Sequence, residues 1–379
     1  MNIYELVENA PTLFANKASS GHALPFLMLG APGCGKSSII EGIFARTLAK
    51  ATGKAVDVIT EIPANREAPD FRGLPIPVKA TDGGMPVIRY PVPDILDRIQ
   101  RSSAYRDGIV VLFLDELLQA DASTQKVLCD LILNSRLGEH QLPSNVWIIS
   151  ASNRQSDGAG VNRALSILTN RLCRYEVELP VDSWVRYGRA SGAHPMGLAF
   201  AERFPNHFAS STPPRDGAFC TYRSFTSFLG YLTSHNQAKG LDPHQVPDNG
   251  FMRNTANGLI GEAAALEFFA FSKVAEVLPT RQELLETPAI ARLPGAFQAD
   301  AQYAASNMAI SLALENAQNI NPCMTYIMRL PMIELAVKAM VELNRSAAGG
   351  VIMNNPEAGA WLAKHKALVA DANAAVTSY

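Results

Sequence analysis

Apolar and polar positions divide the chain into two stretches of different rhythm. In the first, short apolar runs end abruptly in polar turns: Leu24-Pro25-Phe26-Leu27-Met28-Leu29, Ile109-Val110-Val111-Leu112-Phe113-Leu114 and Val146-Trp147-Ile148-Ile149. Continuous runs of this length predict strands buried on both faces, as in a parallel sheet covered by helices. Ala55-Val56-Asp57-Val58-Ile59-Thr60 adds a β-branched strand, and Cys173-Arg174-Tyr175-Glu176-Val177-Glu178-Leu179 alternates like a final one. Between them the period becomes helical, over residues 2–18, 38–48, 94–106, 122–134 and 162–170. Strands alternating with helices predict a three-layer αβα domain with a parallel sheet over residues 1–182. Residues 183–379 show helical patterns alone, strongest at 261–271 and from Met332 to Leu343, so an all-α region is expected there. One stretch fits neither rhythm. Residues 61–93 hold seven prolines, and Asp82-Gly83-Gly84 lies between Val78-Lys79 and Pro86-Val87-Ile88-Arg89-Tyr90, which predicts an insertion carrying a β-hairpin.

The polar ends of the apolar runs carry the candidate chemistry. The first run leads into Gly30-Ala31-Pro32-Gly33-Cys34-Gly35-Lys36-Ser37, followed by Ser38 and a helical pattern. Strand, G-x-x-x-x-G-K-S, helix is a phosphate-binding loop (Walker A) in its proper setting. Glycines let several backbone N–H groups turn inward, and the helix N-terminus adds its positive dipole end. Lys36 is placed to reach β- and γ-phosphates, and the Ser37 hydroxyl to hold Mg²⁺. Cys34 reads either as a tolerated small side chain or as a thiol of altered acidity.

The second run ends in Asp115-Glu116, a Walker B pattern at the carboxyl edge where α/β sheets place ligands. Asp115 would complete the Mg²⁺ shell opposite Ser37, and Glu116 would polarise the attacking water. The competing reading of this pair is a solvated helix cap. The third run leads to Asn153, either a turn residue or a group that hydrogen-bonds the water and the γ-phosphate.

Composition narrows the class without changing the picture. The 47% hydrophobic and 18% charged content over 379 residues is that of a globular protein with room for two units. A net charge of -2 gives no bulk basic signal for nucleic acid. Five scattered cysteines without C-x-x-C spacing argue against a disulfide or zinc framework. No apolar run has the length of a membrane span, and Met1-Asn2-Ile3-Tyr4-Glu5 lacks a secretory pattern, so a cytoplasmic location is expected.

Phosphate loop, Asp-Glu strand and strand-terminal Asn, followed by Asn170-Arg171 and a helical region, resemble the AAA+ ATPases. Glu67-Ala68-Pro69-Asp70-Phe71-Arg72-Gly73-Leu74-Pro75, the run Ala151 to Val161 with Leu168-Thr169-Asn170-Arg171, and Thr221-Tyr222-Arg223-Ser224 resemble the insertion, the sensor and finger region, and the lid-helix start of the MoxR-like branch. The resemblance covers about residues 20–300. It implies an ATP hydrolase with ATP and Mg²⁺ as cofactors, working as a homo-oligomeric, most simply hexameric, ring. Arg171 would be the finger reaching a neighbouring subunit's nucleotide; because Leu172 stands where phenylalanine is usual and Arg174 and Arg163 lie close by, those two arginines or a plain surface ion pair are the alternatives. Arg223 would contact the γ-phosphate from the lid, or else be an ordinary helix-surface arginine. Loops within 61–93 would face the ring axis, and the bland alternative is a proline-stiffened surface excursion. The branch further implies a partner with a von Willebrand A-type domain and a protein client to be remodelled. A nucleic-acid motor, helicase or clamp-loader-like, is the alternative, and it would want a basic, aromatic-lined channel.

Overall fold

The computed structural model describes residues 1–379 except 17–20, 80–84, 158–167, 169, 171, 209–216, 243–244, 347 and 378–379. Chain contacts divide it into two compact units, the first ending at Leu179 and the second beginning at Pro180.

In the first unit, helix α1 (Ile3–Ala15) precedes strand β1 (Phe26–Leu29). A continuous helical run, α2, follows the phosphate loop. It comprises Lys36–Ser38, a wider π-type stretch Ile39–Phe44, and Ala45–Thr52. Then come β2 (Val56–Glu61), the short helix α3 (Ala68–Arg72), a hairpin of β3 (Ile76–Val78) and β4 (Val87–Arg89), and α4 (Asp94–Arg101). Strand β5 (Ile109–Leu114), helix α5 (Ala122–Asn134), a small hairpin β6–β7 (Arg136–Leu137 and His140–Gln141), β8 (Val146–Ser152) and β9 (Cys173–Glu176) complete it.

Five strands form one sheet in the order β2-β5-β8-β1-β9, every neighbouring pair parallel. The apolar runs are continuous because both faces are covered. Ile109, Val111 and Phe113 of β5 pack on one side with Ile3, Leu6 and Phe14 of α1 and Ile40, Phe44 and Leu48 of α2. Val110, Leu112 and Leu114 pack on the other with Ile95 and Ile99 of α4 and Leu128 and Leu131 of α5. Helix α5 starts where Asp121 accepts the Thr124 N–H at 2.6 Å, and those hydrogen bonds hold the Asp121 carboxyl below its ordinary pKa. The expected helix over 162–170 lies mostly outside the described residues.

The insertion has the expected hairpin, pairing Ile76 with Arg89 and Val78 with Val87, while Asp82-Gly83-Gly84 lies outside the described residues. Its root is clasped. Buried Glu61, at the end of β2, accepts from Arg66 Nε at 2.9 Å and Arg98 Nη1 at 2.6 Å, drawing both flanks of the insertion to one carboxylate. That contact raises the Arg66 pKa. Gly73 closes α3 at φ +79, and a Cβ there would lie 2.7 Å from the Pro91 carbonyl oxygen. Beyond this root, Leu74, Met85, Ile88 and Val92 are exposed.

In the second unit every regular element among the described residues is helical. Its helices are α6 (Val181–Ala190), α7 (Pro195–Arg203), α8 (Tyr222–Lys239), α9 (Gly250–Ile260), α10 (Glu262–Ser272), α11 (Arg281–Glu286), α12 (Ala299–Glu315), α13 (Ile320–Ile327), α14 (Ile333–Arg345), α15 (Gly349–Met353), α16 (Pro356–Lys364) and α17 (Lys366–Thr377). An aromatic core of Phe200, Phe225, Phe228 and Phe268, in mostly edge-on and tilted contacts, joins α7, α8 and α10. The structure thus has the expected fold class: a three-layer αβα P-loop NTPase domain with a parallel sheet, followed by a helical region.

Candidate functional site

Register brings the candidate residues to one edge. Leu29 of β1 pairs with Ser152 of β8, and Leu114 of β5 pairs with Ser150. The residues that leave the sheet next, Gly30, Asp115 and Asn153, therefore emerge side by side at the carboxyl edge. Gly30 N–H still donates to Ser152 O at 3.3 Å before the loop turns away.

The loop needs its glycines for different reasons. A Cβ on Gly30 would lie 2.9 Å from the Val177 carbonyl oxygen, 3.0 Å from Val177 Cγ2 and 3.1 Å from Cys34 Sγ. Gly33 and Gly35 instead sit at φ +73 and +84, where an L side chain is strained. Gly30→Ala should therefore cost about 1–3 kcal/mol, the usual toll of overpacking, and lower the thermal midpoint in differential scanning calorimetry. An unchanged midpoint would show that the chain around Val177 yields freely.

Lys36 is 7% exposed, and its ammonium donates to Gly30 O at 2.8 Å, Ala31 O at 3.0 Å and Asn153 Oδ1 at 3.0 Å. Ala31, Pro32 and Gly33 are half-buried, Ser38 is exposed, and the buried Cys34 sulfur lies 3.9 Å from the Lys36 nitrogen. Ser37 Oγ donates to Asp115 Oδ2 at 2.5 Å, so a hydroxyl from the first turn of α2 faces a carboxylate just beyond the end of β5. Such hard oxygens suit Mg²⁺. No group of three or more His, Cys, Asp or Glu that could hold a metal occurs among the described residues, so Ser37 and Asp115 offer only part of an octahedral Mg²⁺ shell.

Glu116 is exposed and adopts φ 56, ψ 34, a left-handed conformation uncommon outside glycine; its N–H donates to Asp115 Oδ1 at 3.0 Å. Two features not singled out in the sequence hold this edge. Buried Ser152 accepts from Leu118 N–H at 3.2 Å and donates to Gln119 Oε1 at 2.7 Å, latching the turn after Glu116 to the strand before Asn153. Fully buried Asp157 pairs with Arg154 at 3.2 Å and accepts that residue's N–H, fixing the turn beyond Asn153. An aspartate three residues after an arginine in a polar stretch is too common a pattern to mark either residue.

Arg171 and Arg163 lie outside the described residues, and Arg174 is exposed on β9. Arg223 is exposed in the first turn of α8, in the second unit, where Thr221 and Ser224 form a capping box.

No family profile matches this sequence, and no curated protein does. Solved structures to which the chain is similar include a mutant of RuvB from Thermotoga maritima, at 13% identity and TM-score 0.38, covering 71% of this chain and 68% of that one. The ORC1 protein of Aeropyrum pernix in complex with DNA is 15% identical, with TM-score 0.39 and coverage of 86% and 82%. NtrX of Brucella abortus in complex with ADP is 14% identical, with TM-score 0.37 and coverage of 96% and 67%. No helix among the described residues is long and apolar enough to cross a membrane.

Proposed function

We propose that this chain is a Mg²⁺-dependent ATP hydrolase of the AAA+ type, acting as a ring of identical subunits in the cytoplasm. The observation that carries the reading is the meeting of Lys36, the Ser37–Asp115 pair, Glu116 and Asn153 at one sheet edge. Loop N–H groups and Lys36 would hold the triphosphate, and Ser37 and Asp115 would hold Mg²⁺, which supplies charge neutralisation at the phosphates when bound. Glu116 accepts the proton of the attacking water. Asn153, tied to the Lys36 ammonium, orients that water against the phosphate-binding cation. By the resemblance, Arg171 would be the finger for the next subunit's nucleotide and Arg223 the lid arginine for the γ-phosphate.

The MoxR-like features of the sequence favour a remodelling role on a protein client, with a von Willebrand A-type partner. The exposed apolar side chains of the β3–β4 hairpin are consistent with contact to protein rather than to a polyanion.

Mixing subunits tests the shared site. Arg171→Ala and Lys36→Ala chains should each be inactive alone and recover part of the ATPase activity when combined, because some interfaces then pair an intact loop with an intact finger. Absence of recovery at every ratio counts against a finger in trans. Stimulation of turnover by duplex or single-stranded DNA, and not by an unfolded protein, would replace the client reading with the nucleic-acid one.

A further inference from the structure

The second unit holds a cavity of about 280 Å³ between α6, α7, α12 and α14, apart from the phosphate loop's unit and used by nothing in the reading above. Its charged lining divides into two sets. Lys338 is paired with Asp182 at 2.7 Å and Glu202 at 3.1 Å, and Arg189 with Glu342, so every carboxylate on the wall is engaged. Asn307 ties the two pairs together, donating to Glu202 at 2.7 Å and accepting from Arg189.

The remaining cations have no such partner. Arg186 donates to Ser183 Oγ at 3.3 Å, and Arg345 donates to Asn373 Oδ1 at 2.9 Å and Asn373 O at 3.4 Å. Among the described residues neither makes an ion pair. Arg189 is almost wholly buried, yet its Nε hydrogen has no acceptor. Leu314 and Ala190 add an apolar wall beside these guanidinium groups.

We propose that this cavity is a binding site for a small organic oxyanion, a phosphate monoester or a carboxylate. Its charged end sits between Arg186 and Arg345, and its short carbon body lies against Leu314. Guanidinium forks match the two oxygens of such a group, and an acceptor near Arg189 would satisfy its Nε hydrogen. The volume lies below the usual range for drug-sized ligands, which favours a compact molecule over a nucleotide.

The test is isothermal titration calorimetry on the full chain carrying Lys36→Ala, so that the phosphate loop does not compete. The probes are phenyl phosphate and benzoate. At least one is expected to bind with one-to-one stoichiometry, and the tighter of the two identifies the oxyanion class. The further change Arg186→Ala with Arg345→Ala should weaken it by about tenfold or more, as loss of charge-assisted hydrogen bonds implies. Arg345→Lys, which keeps the charge without the fork, should fall between. Circular dichroism checks that each variant is folded. No heat from either probe at millimolar concentration, or equal affinity in the double variant, overturns the proposal. Neither outcome touches the ATPase reading, which is measured on the chain with Lys36 intact.

Discussion

Lys36→Ala should lose ATP affinity by about 10- to 100-fold in a fluorescent-nucleotide titration, and with it all measurable turnover. The ammonium is held by two loop carbonyls and by Asn153 within 3.0 Å, so it is already fixed where the loop curls. A hydrogen bond from a charged donor contributes about 1.5–3 kcal/mol, and each step of about 1.4 kcal/mol is tenfold in affinity. No other lysine or arginine among the described residues shares this set of acceptors. Lys36→Met, which keeps most of the buried stem, should behave like alanine; if it binds ATP as the wild type does, charge at this position is irrelevant.

Glu116→Gln should separate binding from chemistry. The amide has the shape of the carboxylate, and the backbone anchor from Glu116 N–H to Asp115 Oδ1 does not involve the side chain. ATP affinity is therefore expected to stay within about twofold, while kcat falls by about 10²–10⁴, the usual share of a general base. Rapid-quench measurement of phosphate release distinguishes the two. Wild-type turnover would remove Glu116 from the reaction and leave Asp115 as the only carboxylate of its pair in play.

Much of this architecture can be read from apolar runs alone. Residues 109–114 alternate between two cores, so each had to be apolar, and the polar residue after each run marks the sheet edge. Ends of elements were less legible. The helix expected over 94–106 stops at Arg101, where Ser102 turns back to accept the Ala104 N–H and to donate to Asp57 on β2 at 2.6 Å. The helix expected from Gly261 begins at Glu262, because Gly261 takes φ +81 against the Ala218 carbonyl, a contact from far away in sequence. The same reason hid the Ser152 latch and the Glu61 clasp. Each depends on partners that only strand order brings near, and neither leaves a periodic trace.

Glu61 joins two parts of the unit. Its carbonyl oxygen accepts the Asp115 N–H at 2.9 Å, while its carboxylate grips Arg66 and Arg98. The same residue that accepts the Asp115 N–H thus also holds the foot of the apolar hairpin. The hairpin is geared to the sheet edge through Glu61, so that loosening its carboxylate would slacken both at once.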